Sequence, residues 1–360
     1  GVTSVWYTAD GGTTWQNKEG NLPNLPVKCI LQNPFALNEV IVGTELGVWA
    51  TTNFNAVSPN WVRSNNGMKD VKVLSFDYRS ADNTILASTF GRGMFTGEFW
   101  TCGSSTTTWN GAAWSNGAPD KKKVVVIDGN YNTVTNGSFE CCSLTVNAGR
   151  IVNIGANNYI TVSGNITVNG TLNVLNNGSL VQVDDTAVNT GNISYERTVA
   201  IRKNDYVYWS TPISNFNVNG ISPATNSSFI FKWNPTIVNT NGGFGNWTAA
   251  NGETMVLGKG YIVKGPESFT NIAQNFTATF TNGIPNNGVI TIPISRGNYT
   301  SVNYNGTNGA QITKFDDNWN LIGNPYPSAI RALDFLNLNT NIEGAIRLWT
   351  HTSLPSSAIS

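Results

Sequence analysis

The sequence predicts an all-β protein of three successive modules. These are the C-terminal blades of a β-propeller (1–99), a turn-rich β-solenoid-like module (100–194) and a β-sandwich or jelly-roll-like module (195–360). Three observations carry this reading. A short aromatic strand recurs with a period of more than forty residues near the N-terminus. A shorter apolar/polar alternation with regularly spaced glycines fills the middle. Aromatic strand-like runs between Gly, Asn and Pro turns fill the rest.

The long repeat starts at Val5-Trp6-Tyr7, returns at Gly47-Val48-Trp49-Ala50 and returns again at Gly93-Met94-Phe95-Thr96. The spacings, 5 to 48 to 94, are close to the ~40–45 residues of a four-stranded propeller blade. Fewer than three repeats fit, whereas a ring closes at about four to eight blades. The expectation is therefore the tail of a longer polypeptide. After the first strand comes Thr8-Ala9-Asp10-Gly11-Gly12-Thr13-Thr14-Trp15. Asp10 is expected to accept backbone hydrogen bonds within this turn, and Trp15 to pack between strands.

Residues 8–15 match every fixed position of Ser/Thr-x-Asp-x-Gly-x-Thr-Trp. At Asp10, Gly12, Thr14 and Trp15 the segment thus resembles the Asp-box, or BNR repeat, of sialidases, sortilin-type propellers and secreted glycan-degrading enzymes. In the second copy, Thr51-Thr52-Asn53-Phe54-Asn55 followed by Trp61, Asn53 replaces the aspartate; the third copy loses the box. The resemblance implies a fold rather than a chemistry.

In the middle module Tyr159-Ile160-Thr161-Val162-Ser163-Gly164 is followed by Asn165-Ile166-Thr167-Val168-Asn169-Gly170, and Thr171-Leu172-Asn173-Val174 continues the pattern. Alternate residues are aliphatic, and glycines fall about six residues apart, at Gly164, Gly170 and, after a slip, Gly178. Short strands with small corners suit a solenoid with a stacked aliphatic interior; a meander of tight hairpins gives a similar pattern. The polar side carries Asn, Thr and Ser and supplies no activated nucleophile.

The third module holds Tyr206-Val207-Tyr208-Trp209, Phe229-Ile230-Phe231-Lys232-Trp233, Tyr261-Ile262-Val263-Lys264 and Trp319-Asn320-Leu321-Ile322-Gly323 as strand candidates. One helix is predicted from Ala329 to Leu336, with Ser328 as its N-cap. Asp316-Asp317-Asn318 reads as a solvated turn, with a calcium edge as the alternative; calcium needs about six or more oxygen ligands.

The chain has 360 residues, of which 12% are charged, and Lys+Arg equals Asp+Glu at 21 each. A neutral chain whose basic run is limited to Lys121-Lys122-Lys123 is a poor nucleic-acid binder. No apolar run reaches the roughly 18–20 residues of a membrane span. The four cysteines lack zinc spacing, and the single His351 cannot complete a site, so no metal and no cofactor are predicted. A bridge from Cys102 to Cys141 or Cys142 would tie the start of the second module to its body; buried free thiols are the alternative.

The runs Tyr208-Trp209-Ser210-Thr211-Pro212, Gly258-Lys259-Gly260-Tyr261 and Trp319 to Ser328, with Trp109-Asn110-Gly111…Trp114, resemble large exported surface proteins of Bacteroidetes, the gliding-associated proteins of Flavobacterium among them. That resemblance implies export by a type 9 secretion translocon, recognition through a sorting domain beyond Ser360, and a cell-surface location. Asp185-Thr186-Ala187 also fits the short O-glycosylation motif of such proteins, with Thr186 as acceptor.

The function expected is that of a surface adhesin or stalk. Trp109, Trp114 and Trp247, in the most turn-like settings, are the candidate rings for stacking on surface glycans, while most other aromatics belong to the core. The alternative is a fragment of a secreted glycoside hydrolase or sialidase-like enzyme whose active site lies on other blades. Such an enzyme needs two carboxylates flanking a sugar, and no motif pairs Asp10, Glu45, Asp77 and Glu98.

Overall fold

Valine, isoleucine and threonine in alternation with small polar residues favour extended backbone, and among the described residues the computed structural model is all-β apart from two short helices and two 3-10 turns. It describes residues 4–34, 36–65, 67–81, 83–99, 102–103, 105–342 and 345–348. The chain divides into two compact units, Gly1–Thr101 and Cys102–Ser360.

Among its described residues the first unit contains three antiparallel sheets. β1 (Trp6–Tyr7) pairs with β2 (Gln16–Asn17). β3 (Val27–Gln32), β4 (Val40–Thr44), β5 (Gly47–Thr51) and β6 (Val62–Arg63) form a four-stranded meander. β7 (Val73–Arg79), β8 (Thr84–Thr89) and β9 (Met94–Glu98) form the third sheet. The recurring aromatic strands are β1, β5 and β9: β1 pairs with β2, β5 lies between β4 and β6, and β9 is the edge strand beside β8. All of β4 is buried because both faces of its sheet are covered. Val40 and Val42 pack with Val5, Phe54 and Trp61, whereas Ile41 packs with Val73, Ile85 and Phe99.

The second unit opens as a solenoid. β10 (Ser105–Trp109) is followed by a coil of β11 (Lys123–Ile127), β12 (Tyr131–Asn132) and β13 (Phe139–Cys141), with the one-turn helix α1 (Thr133–Asn136) between the last two. The next coil is β14 (Ser143–Val146), β15 (Ile151–Ile154) and β16 (Tyr159–Val162). The last is β17 (Ile166–Val168), β18 (Thr171–Val174) and β19 (Ser179–Gln182), after which comes β20 (Ile193–Ile201). All pairing between coils is parallel, which excludes the hairpin meander.

Each six-residue motif is therefore one side of a three-sided coil. Register stacks like on like, as in Val125–Leu144–Ile166 and Tyr131–Val152–Leu172. These side chains are fully or almost fully buried, each contributing about 1.5–3 kcal/mol. Corners are tight: a Cβ on Gly170 would lie 2.3 Å from Asn147 O. Asn157 and Asn177, with φ of 61° and 62°, occupy the same corner one coil apart.

The Trp109-Asn110-Gly111…Trp114 run closes the N-terminal end. Asn110 Oδ1 accepts from the backbone N–H of Ala112 and Ala113, both at 2.9 Å, and folds Trp114 back on Trp109 with ring centroids 5.2 Å apart. Tyr131 and Phe139 complete this aromatic cap. Cys102 is disulfide-bonded to Cys142, with Cα atoms 4.9 Å apart; Cys141 is a buried free thiol in the inward ladder.

The boundary expected at 194/195 does not separate two bodies. β20 pairs in parallel with β18 and antiparallel with β25 (Gln274–Gly283), so one strand belongs to both expected modules. Between them in sequence, β21 (Tyr206–Trp209), β22 (Ile230–Val238), β23 (Phe244–Ala249) and β24 (Tyr261–Lys264) form a four-stranded antiparallel sheet in the order β21-β24-β22-β23. It packs on the β20–β25 ribbon through Trp209, whose ring lies 5.9 Å from Phe276 and 6.3 Å from Phe280. One hydrophobic core runs from Trp109 to Phe280 without a break.

Helix α2 is Ala332–Leu338, starting three residues and ending two residues later than predicted. Arg331, not Ser328, precedes it, and none of its residues is buried. Ser328 instead belongs to the turn that Asn324 holds: Asn324 Oδ1 accepts from Tyr326 N (3.0 Å) and its Nδ2 donates to Ser328 O (2.5 Å).

Two outcomes are expected. Leu172→Ala, at an inward ladder position, lowers stability by about 2–5 kcal/mol, whereas the neighbouring outward Thr171→Ala changes it by less than about 0.5 kcal/mol; urea denaturation distinguishes them. Non-reducing peptide mapping recovers a Cys102–Cys142 cross-link, with Cys141 alkylated only after unfolding.

Candidate functional site

The four-stranded sheet β21-β24-β22-β23 presents an aromatic face away from the core. Alternation along each strand places Trp209, Ile230, Tyr261 and Val263 inward, where they are buried. Tyr206, Tyr208, Phe231, Trp233 and Trp247 then point to the opposite face and stay partly accessible. Trp233 and Trp247 are directly paired across β22 and β23, ring centroids 5.2 Å apart at 74°. Tyr208, on the opposite edge strand, lies stacked with Trp247 at 6.2 Å and 28°. Tyr206 and Phe231 meet at 6.4 Å. Burial raises the Tyr206 and Tyr208 hydroxyls above the ordinary phenol value, with the Glu267 carboxylate adding to the effect at Tyr206.

The 319–323 segment bounds one end of this face. Trp233 Nε1 donates to Trp319 O at 2.8 Å, and Gly323 packs so closely that a Cβ there would lie 2.3 Å from Ser210 Cβ. Gly323 N donates to Gly258 O (2.9 Å) and Gly260 N to Leu321 O (3.0 Å). Three of the sequence runs that carry the family resemblance thus meet at one place.

Of the three expected sugar-stacking rings, Trp247 is exposed on this face. Trp109 is not available: it is 5% exposed, its indole N–H donates to Asn130 O (3.0 Å), and its ring faces are covered by the solenoid cap. Trp114 is half-buried in the same cluster. Tyr206, Tyr208, Phe231 and Trp233 join Trp247 on this face. Their signal in the sequence is an aromatic residue at every second position of Tyr206-Val207-Tyr208 and Phe231-Lys232-Trp233.

In the turn over residues 8–15, Asp10 Oδ1 accepts from Thr14 N (2.9 Å) and Thr8 Oγ1 (2.8 Å), and Oδ2 accepts from Thr14 Oγ1 (2.6 Å). Gly12 N donates to Thr8 Oγ1 (2.8 Å). The Thr14 hydroxyl first, then its backbone N–H and the Thr8 hydroxyl, lower the Asp10 carboxyl from 3.8 to about 2. Trp15 does not pack between strands; it is 56% exposed and closes the turn through Nε1 to Gly12 O (3.0 Å).

The second copy keeps this geometry. Thr51 Oγ1 donates to Asn53 Oδ1 (2.8 Å), and Asn53 Oδ1 accepts from Asn60 N (2.8 Å), the residue before the buried Trp61.

Other candidate groups are held by their neighbours. Glu45 bridges Lys28 (2.9 Å) and Lys72 (3.2 Å), and Asp77 accepts from Tyr78 N (3.0 Å). Asp317 is buried, not solvated: it accepts from Phe244 N (2.7 Å) and from the Tyr304 hydroxyl, while Asp316 accepts from Thr313 N (2.8 Å). Thr186 is exposed, with its N–H (2.9 Å) and hydroxyl (2.8 Å) both donating to Asp184 Oδ1. His351 lies outside the described residues. Among the described residues no helix is long and apolar enough to cross a membrane.

The chain belongs to a family described as a domain of unknown function, DUF8693, whose model matches residues 99–360. The matched span takes in the solenoid, the shared strand β20 and the aromatic sheet. No curated protein and no solved structure matches the chain.

The Asp10 turn sets an acid limit. Its carboxyl titrates near 2 when folded and near about 4 when unfolded. Its stabilisation is therefore complete above about pH 4 and is lost as pH falls towards about 2. Asp10→Asn is expected to flatten the stability profile between these values, and carboxyl NMR titration to give the low midpoint directly.

Proposed function

We propose that this chain is part of an exported cell-surface protein, an adhesin or stalk that binds glycans through the aromatic face of β21-β24-β22-β23. The observation that carries the reading is that face. Five aromatic side chains stand on one side of one sheet, none of them fully buried. Rings held by their neighbours present apolar surface without losing much conformational freedom on binding, and the C–H faces of sugar rings are their natural partners.

Export is supported by two further features. The Cys102–Cys142 disulfide suits an oxidising compartment. The runs that resemble type 9 secretion substrates are packed against one another in the structure, which gives a physical reason for their occurring together. The first 99 residues, with a meander whose strand β4 is buried throughout and two turns of Asp-box geometry, are read as blades of a propeller.

A glycan array followed by calorimetry tests the site. Tyr208→Ala with Trp247→Ala is expected to weaken the strongest glycan by about tenfold or more without lowering the melting temperature of the solenoid. Trp109→Ala should do the reverse, destabilising the fold because it opens the cap. Undiminished binding by a folded Tyr208/Trp247 double variant would remove the site assignment. Protease treatment of intact cells tests export: a protein protected until lysis contradicts the surface location.

A further inference from the structure

A cavity of about 270 Å3 lies where the third sheet of the solenoid ends. β19 is the last strand of that sheet, and Leu180 N is capped by Pro327 O at 2.8 Å. Leu180, Asp185, residues 285–288, Tyr326 and Pro327 line the space.

Side-chain amides hold the wall in place. Asn286 Nδ2 donates to Pro325 O (2.8 Å) and Thr211 O (3.2 Å), and Asn287 Nδ2 to Asp184 O (2.8 Å) and Ala187 O (3.2 Å). The Tyr326 hydroxyl donates to Gly288 O at 2.7 Å. These amide donors are engaged, which leaves the Ser328 hydroxyl as a lining side-chain donor beside several acceptors. The Asp185 carboxylate and the side-chain oxygens of Asn286 and Asn287 have no hydrogen-bond donor among the described residues. Leu180, Pro327 and the Tyr326 ring add apolar wall.

A ligand that fits must donate several hydrogen bonds and carry an apolar face. A pyranose does both; an alkylammonium donates but has no ring-sized face. The volume is just below the roughly 300–1,000 Å3 of pockets for larger ligands, so one ring fits rather than a chain. We propose that this cavity is a second glycan site, separate from the aromatic face, that takes one neutral pyranose unit. Asp185 accepts from its hydroxyls and Tyr326 covers its apolar side.

Saturation-transfer NMR tests this with the methyl pyranosides of glucose, galactose, mannose and N-acetylglucosamine, and with n-butylammonium as the cationic probe. The expected result is saturable binding of at least one pyranoside. Asp185→Asn should weaken it about tenfold or more, while Tyr208→Ala with Trp247→Ala leaves it unchanged. Asp185 is exposed and its carboxylate holds no neighbour, so the variant keeps the fold. Three outcomes overturn the proposal: no pyranoside saturating by roughly 50 mM, butylammonium binding alone, or pyranoside binding that ignores Asp185→Asn. If the Tyr208/Trp247 variant alone abolishes binding, the aromatic face stands and the cavity does not.

Discussion

The second unit depends on β20 being hydrogen-bonded along both edges. On one side it is the last parallel strand of a solenoid sheet, and on the other it starts an antiparallel ribbon with β25. A solenoid end otherwise leaves a row of unpaired backbone groups open to association; here the chain covers it with its own next layer. Arg197 anchors the junction, donating to Gly178 O (3.0 Å) and Leu175 O (3.3 Å) at a solenoid corner while its guanidinium lies 3.9 Å from the Tyr195 ring. The aromatic sheet is positioned by the same strand, because Trp209 packs on the ribbon that β20 forms.

From that constraint follows the division of labour among the tryptophans. Those near the solenoid start close its hydrophobic interior, since the first coil has no preceding coil to stack on and needs a large apolar cover. Those on β22 and β23 lie on a face that stays partly accessible among the described residues, so the same residue type becomes a surface. Burial, not identity, separates a structural ring from one that can meet a ligand.

The two turns of the first unit make a similar point about sequence signatures. Asp10 and Asn53 differ in charge, and the loops that follow differ in length, yet both side-chain oxygens accept from the threonine two residues before and from the backbone N–H just before a tryptophan. What the turn requires is a short side chain with an acceptor oxygen. A carboxylate strengthens the hydrogen bonds but is not needed for the geometry.

The sequence by itself determined the all-β class, the recurrence of β1, β5 and β9, and the inward positions of the solenoid, because these follow from local alternation and repeat spacing. It also marked the turns where Asn and Gly adopt positive φ. Tertiary structure alone decided that the coils pair in parallel, that residues 100–194 and 195–360 share a strand and a core, and which cysteine meets Cys102. It alone decided that Trp109 is covered while Trp247 is not. The reason is physical: periodicity fixes which side of a strand a residue takes, but what covers that side comes from strands distant in the chain, such as β25 against β21 and the 319–323 segment against β22. The aromatic face was written in the alternation of Tyr206-Val207-Tyr208, and only the sheet order β21-β24-β22-β23 brought Tyr208 and Trp247 together.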